Sequence, residues 1–346
     1  MDSKNRVLYL DMLRIAATFA TIIIHVSEEK YASTIGDFKT WNIFNIYDSL
    51  SRFSVPIFVM ISGAIFLDDS KSISIQRIYS KNIKRMIIFF WSGFYTIYVG
   101  IAIFIEQGKI DKGYLVSKFI IGHYHMWFLP MIVGLYMIVP VWKKILEDKR
   151  LENYCMILSG IFVFIVPTVL SVIKNSAIST LYDFLYYKMT IGYISYFILG
   201  YYLYHNNLKG IIEIIIYGLG LTGILSTILI STYLVQYKGA TYGYYDNFNI
   251  NILLSCIGIF LFFKNIVSKV HIGQNCEKMI IKVSNCCFGI YMLHAFFIEI
   301  LSRIGLNTLS FSPIISVMAI GGIVFLLSLG ASYILHEIPL LRDYVV

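Results

Sequence analysis

The stretch VLYLDMLRIAATFATIIIHVS, residues 7–27, is long and apolar enough to cross a bilayer, yet it carries Asp11, Arg14 and His25. An α-helix advances 100° per residue, so the step from Arg14 to His25 makes three turns plus about 20°. Thr18 and Thr21 fall on the same stripe and Asp11 lies one turn below Arg14. Positions 11, 14, 18, 21 and 25 therefore form one polar seam. A charged side chain at mid-bilayer costs roughly 3 kcal/mol or more, so a seam of this kind faces protein or a wet cavity and marks a candidate functional site.

The rest of the chain shares the membrane character of this stretch. Of its 346 residues 58% are hydrophobic and only 14% charged, and the mean hydropathy is +0.73, all outside the range of soluble proteins. Apolar runs near 7–27, 50–67, 86–105, 124–142, 152–173, 187–204, 211–235, 247–263, 286–304 and 312–335 are each close to the roughly 20 residues a span requires. The expected fold is an all-α integral membrane protein, a polytopic bundle of about ten transmembrane helices. With the N-terminus inside, the larger share of the 28 Lys and Arg residues falls in the inner segments, which places both termini in the cytoplasm. The net charge of +8 then reflects topology, and no nucleic-acid partner is expected.

One membrane domain over 1–346 accounts for the whole pattern, with no linker, internal repeat or attached soluble domain. Arg14 interrupts the first run and no small-residue cleavage site follows, so it reads as a retained span rather than a signal peptide. Cys155, Cys256, Cys276, Cys286 and Cys287 are odd in number and lack a CxxC pair, which indicates neither disulfides nor zinc; no metal is expected. The segment Ile266 to Ser284 interleaves lysines with apolar residues and reads either as an interfacial helix or as a basic loop.

Several further positions stand out. In YDSLSRFSVPIFVMISGAIF, residues 47–66, Pro56 and the Ser62–Gly63 pair loosen a helix or admit a close neighbour. Arg52 either snorkels to headgroups or lines the same cavity as His25. Arg77, Lys81, Lys84 and Arg85 cluster before the third run, as the positive-inside bias alone predicts or as a grip on an anionic cofactor; Arg85 directly abuts the apolar run. Trp127 beside His123 and His125 fits an aromatic belt, and HxH by itself is a weak metal signal. Tyr291 and His294 lie one turn apart in the ninth run, where a buried histidine commonly serves helix–helix hydrogen bonding. Tyr237, Tyr242, Tyr244 and Tyr245 fit an interfacial belt or a sugar-stacking surface. Glu28 and Glu29 either orient His25, if the helix continues, or form a solvated helix end. His336 and Glu337 end the last run. No GxSxG, P-loop or HExxH is present.

In this order, Arg14 separated by ten residues from His25, SRFSVPIFVMISG, the basic run ending at Arg85, HMWFL and YMLH resemble the membrane acyltransferase 3 family, from Tyr9 to roughly His294. That family includes surface-polysaccharide O-acyltransferases and the membrane part of vancomycin-resistance serine racemases. The family's basic run typically carries an earlier arginine; here KNIKR has Asn82 in its place. The resemblance implies an acyl group, most often acetyl, taken from the co-substrate acyl-CoA in the cytoplasm and placed on a hydroxyl of a cell-surface glycan. It also implies a multi-pass protein of the bacterial cytoplasmic membrane, with lipids, acyl-CoA and the glycan as partners. On this reading His25 is a general base or a transient acyl carrier. Arg14, about 16 Å below His25 at 1.5 Å per residue, serves the donor path with Arg85, Lys84 and Lys81, or is held by Asp11. Arg52, Ser62, His125, Trp127, Tyr291 and His294 are acceptor-side or supporting. The alternative is a transporter or flippase that uses the same seam as a substrate pathway.

Overall fold

The computed structural model describes residues 6–68, 74–91, 123–173, 192–239 and 243–338. These form helices joined by turns, with no strand among the described residues. In chain order they are α1 (Leu8–Glu28), α2 (Phe38–Ser51), α3 (Ser54–Phe66), α4 (Lys84–Trp91), α5 (Phe128–Leu146), α6 (Lys149–Leu158), α7 (Val166–Ile173), α8 (Gly192–His205), α9 (Ile211–Lys238), α10 (Ile250–Asn265), α11 (Gln274–Arg303) and α12 (Pro313–Glu337). π-helical stretches, Ile78–Ile83 and Ser159–Ile165, lead into α4 and join α6 to α7.

Among the described residues, 8 helical stretches are long and apolar enough to span a bilayer, and the protein is an all-helical polytopic bundle. Most of the expected third run, 86–105, and the first part of the sixth, 187–204, lie outside the described residues. What is described of the sixth is α8, which is buried along most of its length: Tyr196, Phe197 and Ile198 are enclosed on all sides.

Two boundaries differ from the hydropathy reading. The second span does not begin near residue 50: a helical stretch runs Phe38–Phe66, with α2 and α3 meeting at a break around Arg52 and Phe53. Residues 38–49 look loop-like because Asn42, Asn45 and Asp48 lower their hydropathy. Asn45 is instead buried, bonded to Thr232 Oγ1 at 3.0 Å and to the Ile228 carbonyl at 3.2 Å on α9. Trp41 and Phe44 on the same helix are fully buried. The second difference is in the ninth span, where α11 starts at Gln274. Of the two readings of segment 266–284, the helical one is the nearer: a 3-10 turn, Val267–Lys269, is followed by the first turns of α11. Those turns are exposed through Met279 and half-buried at Ile280, Ile281 and Val283, before Ser284 is buried.

α1 passes through both main packing clusters. Its first half, through Leu13 and Ala17, joins Ile57 and Met60 of α3, Phe197 of α8 and Phe260 of α10. Its second half, through Ile22, Ile23 and Val26, joins Trp41 of α2, Ile290 of α11 and Val317 and Val324 of α12. Lipid tails are as apolar as leucine, so helices in a bilayer associate through close packing and polar contacts. α3 and α8 approach most intimately at Gly63 and Gly200: a Cβ on Gly63 would overlap the Phe197 carbonyl, and one on Gly200 the Met60 carbonyl. Replacing either glycine by alanine should force the backbones apart, cost about 1–3 kcal/mol and lower the unfolding midpoint in detergent. Gly134→Ala, with no neighbouring atom in the way, should leave the midpoint unchanged.

Candidate active site

The seam on α1 is covered by α11, whose positions 284, 287, 291, 294 and 298 repeat at the alternating spacing of three and four that keeps side chains on one helix face. At the Arg14 end, Asp11 is the hub. Its carboxylate accepts from Arg6 Nε at 2.7 Å and Nη2 at 2.8 Å, and from Ser284 Oγ at 2.6 Å. Arg6 also donates to Asn285 Oδ1 at 2.9 Å, and Arg14 Nη1 donates to Ser284 Oγ at 3.2 Å while lying 3.5 Å from Asp11. Asp11 is thus held mainly by Arg6, and Arg14 stays partly open. In the middle of the seam Thr18 and Thr21 donate to the carbonyls of Arg14 and Ala17 one turn back.

At the other end α1 stays helical through Glu28, so His25 and Glu28 share a face. His25 lines a cavity of about 400 Å³ with Glu28, Glu29, Tyr124, Ile298, Glu299, Ser302 and Arg303. Its ring stacks on His294 at 5.2 Å and 25°, and meets Tyr124 edge-on at 5.2 Å. Nδ1 of His25 is buried without a hydrogen bond, 3.8 Å from Glu28 Oε2.

Glu28 is fixed from behind. Arg52 Nη2 donates to Glu28 Oε1 at 2.5 Å and to Asp48 Oδ2 at 2.5 Å, and the guanidinium lies 4.3 Å from the centre of the Tyr245 ring. Arg52 is therefore an internal clamp, not a headgroup anchor. Tyr245 donates to Asn45 Oδ1 at 2.6 Å, and its hydroxyl also pairs with that of Tyr31. Burial raises both phenols above their usual range, so they stay neutral. Tyr244 is buried as well, with its N–H bonded to Ser231 Oγ at 2.7 Å. These two tyrosines pack inward and do not form an outward belt; Tyr237 is exposed, and Tyr242 lies outside the described residues.

His125 sits in the 3-10 turn Tyr124–Trp127 that leads into α5. Nδ1 of His123 and Nδ1 of His125 are 2.8 Å apart, and Nε2 of His123 is 2.9 Å from Glu299 Oε1. The Tyr291 hydroxyl donates to the His125 carbonyl, pinning this turn to α11. The His125 ring meets His294 edge-on at 5.0 Å. His294 Nδ1 donates to the Tyr291 carbonyl of its own helix at 2.5 Å, so its contact with α1 is made by the ring and not by this hydrogen bond; its Nε2 is buried without a protein partner. Trp127 lies outside the cavity, 43% exposed, against Phe128 and Tyr193. Among the described residues no group of three His, Cys, Asp or Glu side chains is placed to hold a metal ion.

The basic run divides. Lys81 and Lys84 are exposed, while Arg85 turns inward with its guanidinium 5.0 Å from the centre of the Phe288 ring on α11. Among the described residues Arg85 has no carboxylate partner. Ser62 Oγ lies 3.5 Å from the Tyr136 hydroxyl, which is in electrostatic range of Arg85 and Arg14. The fold thus brings Ser62 to the arginine end of the seam and not to His25. Around His25 it brings together Arg52, His125, Tyr291 and His294, and adds Tyr124, His123, Glu299, Ser302 and Arg303. The last three lie near the end of the ninth run, 286–304, where Ser302 falls eight residues after His294 on the same helix face.

A search of the curated proteins and of the solved structures finds no match. The family described as an acyltransferase domain, acyltransferase 3, matches residues 7–337, which takes in both ends of the seam, the basic run and the His25 cavity. The chain belongs to the membrane acyltransferase 3 family, and it is a multi-pass membrane acyltransferase.

Proposed function

We propose that this acyltransferase moves an acyl group, acetyl foremost, from cytoplasmic acyl-CoA to a hydroxyl of an extracytoplasmic cell-surface glycan across the bacterial cytoplasmic membrane. The observation that carries the reading is the pairing on one helix of a cavity-lining imidazole, His25, with an arginine end three turns away where Arg14 and Arg85 lie in range of Tyr136. The Arg14 end faces the cytoplasm and the His25 cavity faces outward. That orientation follows the inside excess of Lys and Arg.

At the donor end, guanidinium groups suit the phosphates of coenzyme A, because each presents a fork of donors with fixed geometry. Arg85 suits this role, since among the described residues no carboxylate pairs with it and its guanidinium lies over the Phe288 face. Lys81 and Lys84, exposed at the approach, attract the anion without gripping it. At the acceptor end, the negative charge of Glu28 favours the Nδ1–H tautomer of His25 and turns the Nε2 lone pair toward the cavity. Nε2 then takes the proton of the glycan hydroxyl as its oxygen attacks the acyl carbon. In the two-step variant Nε2 itself first accepts the acyl group from the thioester. Arg52 is a positioning residue in either case, because it holds the carboxylate that faces Nδ1.

With purified protein in proteoliposomes, labelled acyl-CoA inside and a glycan outside, His25→Ala should lower transfer by about 10²–10⁴-fold while the protein remains folded. If the protein neither binds acyl-CoA nor transfers an acyl group in a His25-dependent way, the reading fails; glycan movement that needs no acyl-CoA would mark a flippase. Arg85→Gln should raise KM for acyl-CoA by roughly tenfold, from the loss of one charge-assisted bond of about 1.5–3 kcal/mol, with kcat little changed. Lys81→Gln and Lys84→Gln should have smaller effects that fade with added salt. Arg52→Gln leaves Asp48 buried without its cation. It should cost about 3–5 kcal/mol of stability, read as a lower unfolding midpoint, and depress kcat.

A further inference from the structure

We propose that His294, His125, His123 and Glu299 form a proton relay that carries the proton lifted from the acceptor hydroxyl away from His25 and out to the cavity mouth. This rests on the reading of His25 as the group that takes that proton. Of the 7 histidines in the chain, four gather here from three separate segments.

The section from His125 to Glu299 is directly bonded. Glu299 Oε1 lies 2.9 Å from Nε2 of His123, so His123 donates to the carboxylate. Nδ1 of His123 lies 2.8 Å from Nδ1 of His125, so one proton is shared between two nitrogens. Two arrangements satisfy both distances. In the first, both rings are neutral and His125 donates to His123. In the second, His123 is an imidazolium that donates both to His125 and to Glu299. Uptake of a proton at Nε2 of His125, with the shared proton crossing to His123, converts the first arrangement into the second. Transfer of the Nε2 proton of His123 to Glu299 then places it on a side chain that is 35% exposed and lines the cavity, where water removes it.

The section from His25 to His125 is made by ring contact. His294 stacks on His25 at 5.2 Å and meets His125 edge-on at 5.0 Å. Because Nδ1 of His294 is committed to the Tyr291 carbonyl, its Nε2 is an acceptor, and that atom is buried without a protein partner. An acceptor left without a partner in such a setting costs about 1–3 kcal/mol, which a transferred proton or a bridging water would offset. Rotation of an imidazole or one intervening water closes each ring-to-ring step. Glu28, Glu29 and Arg303 line the same cavity, and Arg52 stands behind Glu28, so the relay runs in a field of both signs.

The balance is simple. The acceptor O–H bond breaks, its oxygen bonds to the acyl carbon, and the carbon–sulfur bond of the thioester breaks. The departing thiolate takes a proton from cytoplasmic water, and the hydroxyl proton leaves through the relay to water at the mouth. No electrons are exchanged with any other group.

The test uses the full chain in proteoliposomes, with acetyl-CoA inside, a glycan acceptor outside, and the variants His123→Gln and Glu299→Gln. Each should lower kcat by at least about tenfold, less than the roughly 10²–10⁴-fold of a group that itself exchanges the proton with substrate, with KM for acetyl-CoA unchanged. Imidazole added outside should restore most of the lost rate, and the solvent isotope effect on kcat should rise. A kcat within twofold of the parent overturns the relay. So does a loss that imidazole cannot restore, which would mean that the pair only props the turn. If the parent protein shows no transfer, or His25→Ala transfers as well as the parent, the underlying reading of His25 falls with it.

Discussion

A row of polar side chains on a membrane helix is tolerable only where another protein surface covers it, and here α11 is that cover for α1. Asp11 fastens one end of the pair, its carboxylate shared among Arg6, Ser284 and the more distant Arg14. In a low-dielectric setting, removing one partner of such a buried charge costs far more than the pair contributes, so the register of α1 against α11 is fixed at this point. Everything farther along α1, including the meeting of His25 with His294, inherits that register.

The opposite end is fastened by a second ionic clamp, and the backbone explains why an arginine can serve there. α2 ends at Ser51 and α3 begins at Ser54, so Arg52 stands at a corner. From that corner one guanidinium nitrogen meets Asp48 on the preceding turn and Glu28 at the end of α1. Between the two clamps Thr18 and Thr21 are satisfied by their own helix. The seam is therefore a pair of anchored ends rather than a continuous hydrogen-bonded wire. An arginine end and an imidazole end are held apart on one rigid element, as the proposed transfer between opposite faces requires.

Much of this was legible beforehand. The spacing of Arg14 and His25 placed them on one face, and the Ser62–Gly63 pair left open a loosened helix or a close neighbour, of which the fold realises the second against α8. Other features were hidden for specific reasons. α2 was masked because Asn42, Asn45 and Asp48 read as loop polarity, although Asn45 and Asp48 are buried and bonded. The inward turn of Tyr245 was hidden because its partners, Arg52 and Tyr31, come from distant segments. His123 looked like half of a weak HxH pattern; its second partner is Glu299, 176 residues away.

By itself the sequence determined that the chain lives in a membrane, that its first helix must be shielded from lipid, and which polar residues of that helix share one face. Those conclusions follow from local composition and from the fixed 100° step of a helix, which needs no knowledge of neighbours. Only the tertiary structure decided what the shield is, that Arg52 clamps Glu28 behind His25, that Arg85 turns inward while Lys81 and Lys84 stay exposed, and that three further histidines gather beside His25. Hydropathy records how apolar a helix face is and not which other face it meets. In a bilayer that choice is made by close packing and a few polar contacts between segments far apart in the chain.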